Sequence, residues 1–209
     1  PSCVGSVSLG GTAVLVDAGD AHACAVWSGG SVRCWGLGTS GRLGYGNVLT
    51  IGDTEVPSSV GPVDVGSGVS VASVHTGSSH TCVRTVGGEV KCWGLATSGQ
   101  LGYGNTVAIG DTEAPSTVGS VSLGGTAVQI SVGGQHACAV LVNGTVVCWG
   151  LGTNGQLGYG NTLTIGDDEL PSSMGPVDVG FSVASISCGT DFTCALSDGG
   201  AVRCWGLAT

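Results

Sequence analysis

The sequence predicts an all-β protein, a β-propeller of four tandem repeats with four antiparallel strands per blade, and three observations predict it. Cys-Trp-Gly recurs with its tryptophan at Trp35, Trp93, Trp149 and Trp205, at spacings of 58, 56 and 56 residues. Each copy has another cysteine ten residues earlier, and the first three are followed by Leu-Gly-Tyr-Gly-Asn and Ile-Gly-Asp-x-Glu-x-Pro. Between these landmarks lie short β-branched runs broken by glycine, with no helical period anywhere. Four short strands in a radially repeated unit of about fifty residues match a propeller blade. A parallel β-helix is the alternative, but its coils are shorter and hold no crosslinked hairpin. The repeats divide one domain, 1–209, into 1–56, 57–114, 115–170 and 171–209.

The third copy shows the elements in order. Ala127–Val132 alternates as a first strand, Gly133-Gly134 turns the chain, and His136–Val142 and Thr145–Trp149 form a hairpin about Asn143-Gly144. Asn-Gly between two apolar runs is a strong tight-hairpin signal, because both residues accept positive φ. Cys138 and Cys148 are symmetric about that turn, which places them opposite one another within disulfide reach. The same spacing predicts Cys24–Cys34, Cys82–Cys92 and Cys194–Cys204. A loop this short gains about 2–3 kcal/mol from its crosslink on the chain-entropy account. Segments 37–56, 95–114 and 151–170 are too rich in glycine for helix or long strand and read as loops. Beyond each proline an alternating run (Val63–Val65, Val121–Leu123, Val177–Val179) is expected to supply the fourth strand. Ser-Val-Ser-Leu-Gly-Gly-Thr-Ala-Val at 6–14 and 120–128 shows that a unit of 114 residues was duplicated.

Composition narrows the function classes. Five basic residues stand against fourteen acidic ones, seven of them in the Gly-Asp-x-Glu segments, so no phosphate-neutralising surface can be assembled. Nucleic acid and anionic membrane are therefore excluded as expected partners. No apolar run is long enough to span a bilayer, so no membrane insertion is expected. The first residues, Pro-Ser-Cys-Val-Gly, lack an initiator methionine and a leader, so the chain is expected to be a mature or excised one. Ten cysteines, eight in equally spaced pairs, point to an oxidising compartment, and the expected location is extracellular or the cell surface. Nine residues between paired cysteines do not make a zinc knuckle.

The pattern His-x-Cys-Ala-Val/Leu, Gly-x-Val-x-Cys-Trp-Gly, Gly-Gln-Leu-Gly-x-Gly is clearest at His136–Gly150 and Gly155–Gly160. It resembles the regulator of chromosome condensation repeat family, across all four copies. The resemblance implies a propeller, usually of seven blades. The cysteine-bearing, long-looped variety looks like exported bacterial proteins. One secreted relative inhibits a β-lactamase through its propeller face, and the eukaryotic namesake is a nucleotide exchange factor on chromatin. This chain departs from the namesake in having no basic tail and in its disulfide-spaced cysteines.

His22, His80 and His136 precede the first cysteine of their hairpins by two residues, and Phe192 takes that place in the fourth copy. Chemistry would not tolerate phenylalanine there, so the three histidines are expected to be structural and hydrogen-bonded. His75 is expected at the surface, the repeat tryptophans between blades, and Trp27 in a surface packing role with some exposure. Glycines of Leu-Gly-Tyr-Gly-Asn permit close backbone approach; a phosphate cradle would need a lysine or a following helix. Asp53/Glu55, Asp111/Glu113 and Asp167/Asp168/Glu169, with Asn47, Asn105 and Asn161 nearby, offer oxygen ligands for calcium. Their spacing does not match the helix-loop-helix calcium loop, and the expectation is no cofactor, with calcium binding at most weak. No nucleophile–base pair recurs, and no nucleophile elbow occurs, so no enzyme is expected. Asn143-Gly-Thr145 is a glycosylation sequon in a eukaryotic source.

The function expected is an exported, non-catalytic scaffold binding a protein or glycan partner; the alternative is a self-associating building block of an extracellular layer or filament. Residues 1–10 align with 57–66, 115–124 and 171–180. The first segment is thus expected to fill the strand position after Trp205 and close a four-bladed ring, with Cys3 and Cys188 bonding across the closure. Part of a longer propeller, and two chains sharing an eight-bladed ring, are the other arrangements.

Overall fold

In the computed structural model, which describes residues 5–207, the β-branched runs form twelve strands in four antiparallel sheets, one per repeat. Blade one is β1 (Ala13–Ala18), β2 (His22–Trp27) and β3 (Val32–Gly36); blade two is β4 (Val71–Thr76), β5 (His80–Thr85) and β6 (Val90–Gly94). Blade three is β7 (Ala127–Val132), β8 (His136–Leu141) and β9 (Val146–Gly150); blade four is β10 (Val183–Cys188), β11 (Phe192–Ser197) and β12 (Val202–Gly206). Each β8–β9-type hairpin turns at a positive-φ glycine, and Asn143 Oδ1 accepts both the N–H and the hydroxyl of Thr145. The register of every first pair slips by one residue at the same place, between Ala13 and Leu15 and its three counterparts. Such a bulge bends and twists its strand, here once per blade.

All four expected disulfides are present, linking cysteines directly opposed in register with Cα atoms 4.0–4.1 Å apart. In blades one to three both sulfurs are fully buried, beside Val32, Val90 and Val146. β1, β4, β7 and β10 lie innermost. The turns that follow them, Ala18–Asp20, Thr76–Ser78, Val132–Gly134 and Cys188–Thr190, line one central cavity of about 310 Å³.

Two expectations are corrected. Each blade has three regular strands, not four. The segments expected as fourth strands run beside the third but contribute one N–H each: Val63 to Val32 O, Val121 to Val90 O and Val177 to Val146 O, all at 2.8 Å. The cause lies two residues further along β3, β6 and β9. There the outward N–H and C=O of the second cysteine are both taken by a tyrosine hydroxyl from the long loop. Tyr45, Tyr103 and Tyr159 accept from Cys34, Cys92 and Cys148 at 3.1 Å and donate back to the same residues' carbonyls. With those groups occupied, the outer edge pairs only in isolated bonds on either side of the cysteine, and no continuous fourth strand forms.

The described part of the first segment, residues 5–10, moreover, does not lie after Trp205. Ser8 O accepts from Ser58 N, and Leu9 O from the Arg33 guanidinium, which holds that segment on blade one. The blades therefore form an open arc whose two end faces are exposed. Cys3 lies outside the described residues; Cys188 carries a free thiol among them.

Candidate functional site

The long loops are the most elaborated part of each repeat, and they are held rigidly. Each returns to its own blade through a pair of backbone bonds, Gly36 N to Ile51 O and Ile51 N to Gly36 O, repeated at Gly94/Ile109 and Gly150/Ile165. Asn47 Oδ1 accepts the N–H of Leu49, with the same turn at Asn105/Val107 and Asn161/Leu163. Consecutive loops also lock together. A Cβ on Gly110 would stand 2.5 Å from Gly41 O, and one on Gly166 2.5 Å from Gly99 O, so only glycine allows that contact. This close packing is why the glycines recur.

On this continuous surface the structure places a feature that motif reading missed. Leu49, Val107 and Leu163 occupy equivalent loop positions and are 66 %, 64 % and 61 % exposed, so one face presents three aliphatic side chains in succession. Val56 and Leu170 add exposed apolar surface where the loops end. The available signal was an aliphatic residue two positions after each loop asparagine. Beside them stand the acidic triplets. Much of their capacity is spent locally: Glu55 accepts from Gly52 N and the Thr54 hydroxyl, and the first of these bonds holds its carboxyl below the usual range. Asp53 and Asp111 accept the N–H of the following threonine, and Glu113 the Thr112 hydroxyl. Only in the third loop do three carboxylates, Asp167, Asp168 and Glu169, approach within 4.8 Å. Burial, and then the neighbouring Asp168, push Glu169 upward.

The histidines lie between blades. His22 Nε2 meets the Thr81 hydroxyl at 2.8 Å, and His136 Nε2 meets that of Thr193 at 2.9 Å. His80 departs from expectation: Ala137 stands where a threonine would, and neither ring nitrogen finds a partner. Burial lowers His22 and His136 to about 4 and His80 to about 3, so all three are neutral. His75, expected at the surface, is half-buried on β4, and burial lowers it too. Trp93 and Trp149 are fully buried, and with Trp205 they donate to the loop carbonyls of Arg42, Gln100 and Gln156 in the preceding repeat. Trp27 packs under the Arg33 guanidinium, 4.4 Å from the ring centroid. His136, Cys138 and Cys188 cluster, but the Cys138 sulfur is already bonded to Cys148, which removes it as a metal ligand. Burial pushes the Cys188 thiol up to about 11, and a protonated thiol is a poor nucleophile.

These blades define a tandem-repeat propeller built on stapled hairpins and interlocked loops. The chain belongs to the regulator of chromosome condensation (RCC1) repeat family, whose models match residues 13–42, 69–100 and 127–156, and 29–84, 87–140 and 143–196. The ultraviolet-B receptor UVR8 of Arabidopsis thaliana is 32 % identical over 194 residues, covering 92 % of this chain and 41 % of its own length. Human WBSCR16 superposes with a TM-score of 0.71 at 24 % identity, covering 95 % of this chain and 48 % of that one. Prp20p of Saccharomyces cerevisiae superposes at 0.68 with 18 % identity, over 90 % and 45 %. The chain thus spans less than half the length of each of these proteins.

Proposed function

We propose that this chain is an exported, non-catalytic scaffold whose loop face binds a protein or glycan partner. The observation that carries the reading is the succession Leu49, Val107 and Leu163, exposed on loops that their own hydrogen bonds hold in place. Aliphatic side chains on a pre-ordered surface lose little entropy on contact, so affinity can come from a small apolar patch. The flanking carboxylates favour a partner with basic residues around an apolar centre. Four disulfides support an oxidising, extracellular setting. Prp20p, similar in fold alone, is described with its binding to Gsp1p and histones; the four disulfides here point away from the reducing nuclear setting. A building block of a layer or filament would instead use the two exposed end faces.

The test is capture from extracellular and cell-surface fractions with the wild-type chain and with a Leu49→Ser/Val107→Ser/Leu163→Ser variant. A partner held by the wild type and lost by the equally folded variant is the expected result. Identical capture by both would place the binding surface elsewhere.

A further inference from the structure

Cys188 ends β10, and the residues that end β1, β4 and β7 are Ala18, Thr76 and Val132, so the junction between blades three and four alone carries a thiol at this place. That thiol is turned onto blade three. The Cys188 N–H donates to Ser131 Oγ at 2.9 Å and its S–H to Ser131 O at 3.5 Å, both across the junction. The Thr193 hydroxyl oxygen stands 3.9 Å from the Cys188 sulfur and 3.9 Å from the Cys138 sulfur. Cys138 Sγ, Cys188 Sγ and one ring nitrogen of His136 lie within 4.8 Å of one another. A free thiol therefore sits beside a disulfide sulfur, in a cluster enclosed by two consecutive blades in which Cys138 and Cys148 are fully buried.

We infer that Cys188 is a second disulfide partner for Cys138, so that the crosslink within the third hairpin exchanges for one between blades three and four. The step is a displacement at sulfur. The Cys188 thiolate attacks Cys138 Sγ, the Cys138–Cys188 bond forms as Cys138–Cys148 breaks, and the electron pair leaves on Cys148 Sγ, which takes up the proton that Cys188 released. One thiol and one disulfide stand on each side, so no oxidant or reductant is consumed.

In the resting fold the exchange is slow. Burial keeps the Cys188 thiol protonated, and the thiolate is the form that attacks. Thr193 spends its proton on Gln156 O, so His136 Nε2 is the donor to Thr193 and the ring stays neutral, bringing no positive charge to the thiol. The two crosslinks constrain different parts of the molecule. The native one joins cysteines ten residues apart in a single hairpin, whereas the alternative closes about fifty residues and ties one repeat to the next. The four native disulfides leave every junction between blades to packing and hydrogen bonds. The exchange is thus a thiol-responsive device at one junction, independent of what the loop face binds.

Cys148→Ser, refolded in a glutathione redox buffer and mapped without reduction, should yield a linked Cys138–Cys188 peptide. Cys92→Ser, the equivalent change in blade two where Thr76 stands in place of the thiol, should leave Cys82 unlinked. A second measurement does not depend on how Cys148→Ser folds. During long incubation of the folded wild type with N-ethylmaleimide, label should reach Cys148 by way of the exchanged form, and Cys188→Ala should cut that labelling on the order of tenfold. Free thiols at both Cys138 and Cys188 in Cys148→Ser, a Cys3–Cys188 link in the wild type, or Cys148 labelling equal or equally absent in wild type and Cys188→Ala would overturn the proposal.

Discussion

His80 is buried with both ring nitrogens unbonded, while Phe192 holds the same position in the fourth repeat without any such cost. A buried unsatisfied polar group costs about 1–3 kcal/mol, so His80→Phe should be neutral or stabilising at pH 7. Its larger effect appears in acid. The folded-state values of His22, His80 and His136 lie below the ordinary 6.5, at about 4, 3 and 4, so the unfolded chain binds more protons below pH 6.5. Stability is complete above pH 6.5 and declines as the pH falls toward 4, by about 1 kcal/mol per histidine per pH unit. Between pH 6.5 and 5, largely above the carboxylate range, thermal melting should show a shallower decline for His80→Phe than for the wild type. Equal slopes would mean that His80 is not neutral in the folded chain.

The hairpin is the element that the chain repeats, and its crosslink does not have the same surroundings in every copy. Cys24–Cys34, Cys82–Cys92 and Cys138–Cys148 are sealed between blades, whereas Cys204 of the last hairpin is exposed and Cys194 half-exposed. Thiol–disulfide exchange requires access to a sulfur. Brief treatment of the folded monomer with mild reductant, followed by alkylation and peptide mapping, should label Cys194 and Cys204 on the order of tenfold faster than the other pairs. Uniform labelling would show that reduction proceeds through global unfolding. The loop element, by contrast, is uniform in its anchoring: in each of the first three repeats one tyrosine hydroxyl takes the N–H and C=O of the second cysteine on β3, β6 or β9 and interrupts the outer edge.

For the whole molecule, the acidic loops raise the question of calcium. The carboxylates of the first two loops already cap their own turns, and only Asp167, Asp168 and Glu169 converge. Isothermal titration of chelator-treated protein should therefore find at most weak binding, and melting should rise little with added calcium. Tight saturation by three ions, one per loop, would show that the local hydrogen bonds yield to the metal. A single tight ion abolished by Asp168→Thr would locate binding in the third loop, the one copy with a third carboxylate.

The repeat period, the glycine punctuation and the paired cysteines were sufficient to read the propeller, its hairpins and all four crosslinks. These are local properties: a turn residue and a spacing decide which strand positions face each other. Sequence also located the long loops and explained their glycines. It also placed the repeat tryptophans between blades, but it did not identify the partners of contacts between repeats. That Tyr45, Tyr103 and Tyr159 close off the fourth-strand position depends on where each loop returns, as does the exposure of Leu49, Val107 and Leu163. The sequence groups His80 with His22 and His136 as a structural, hydrogen-bonded histidine; its partner position lies in the next blade, where Ala137 replaces threonine. The path of the first segment was likewise settled by the Ser8–Ser58 and Arg33–Leu9 contacts, made across distances in sequence that no local pattern encodes. Periodicity thus determined the unit, and the packing of unit on unit, which depends on shape and on residues far apart in the chain, determined which surfaces remain available to bind.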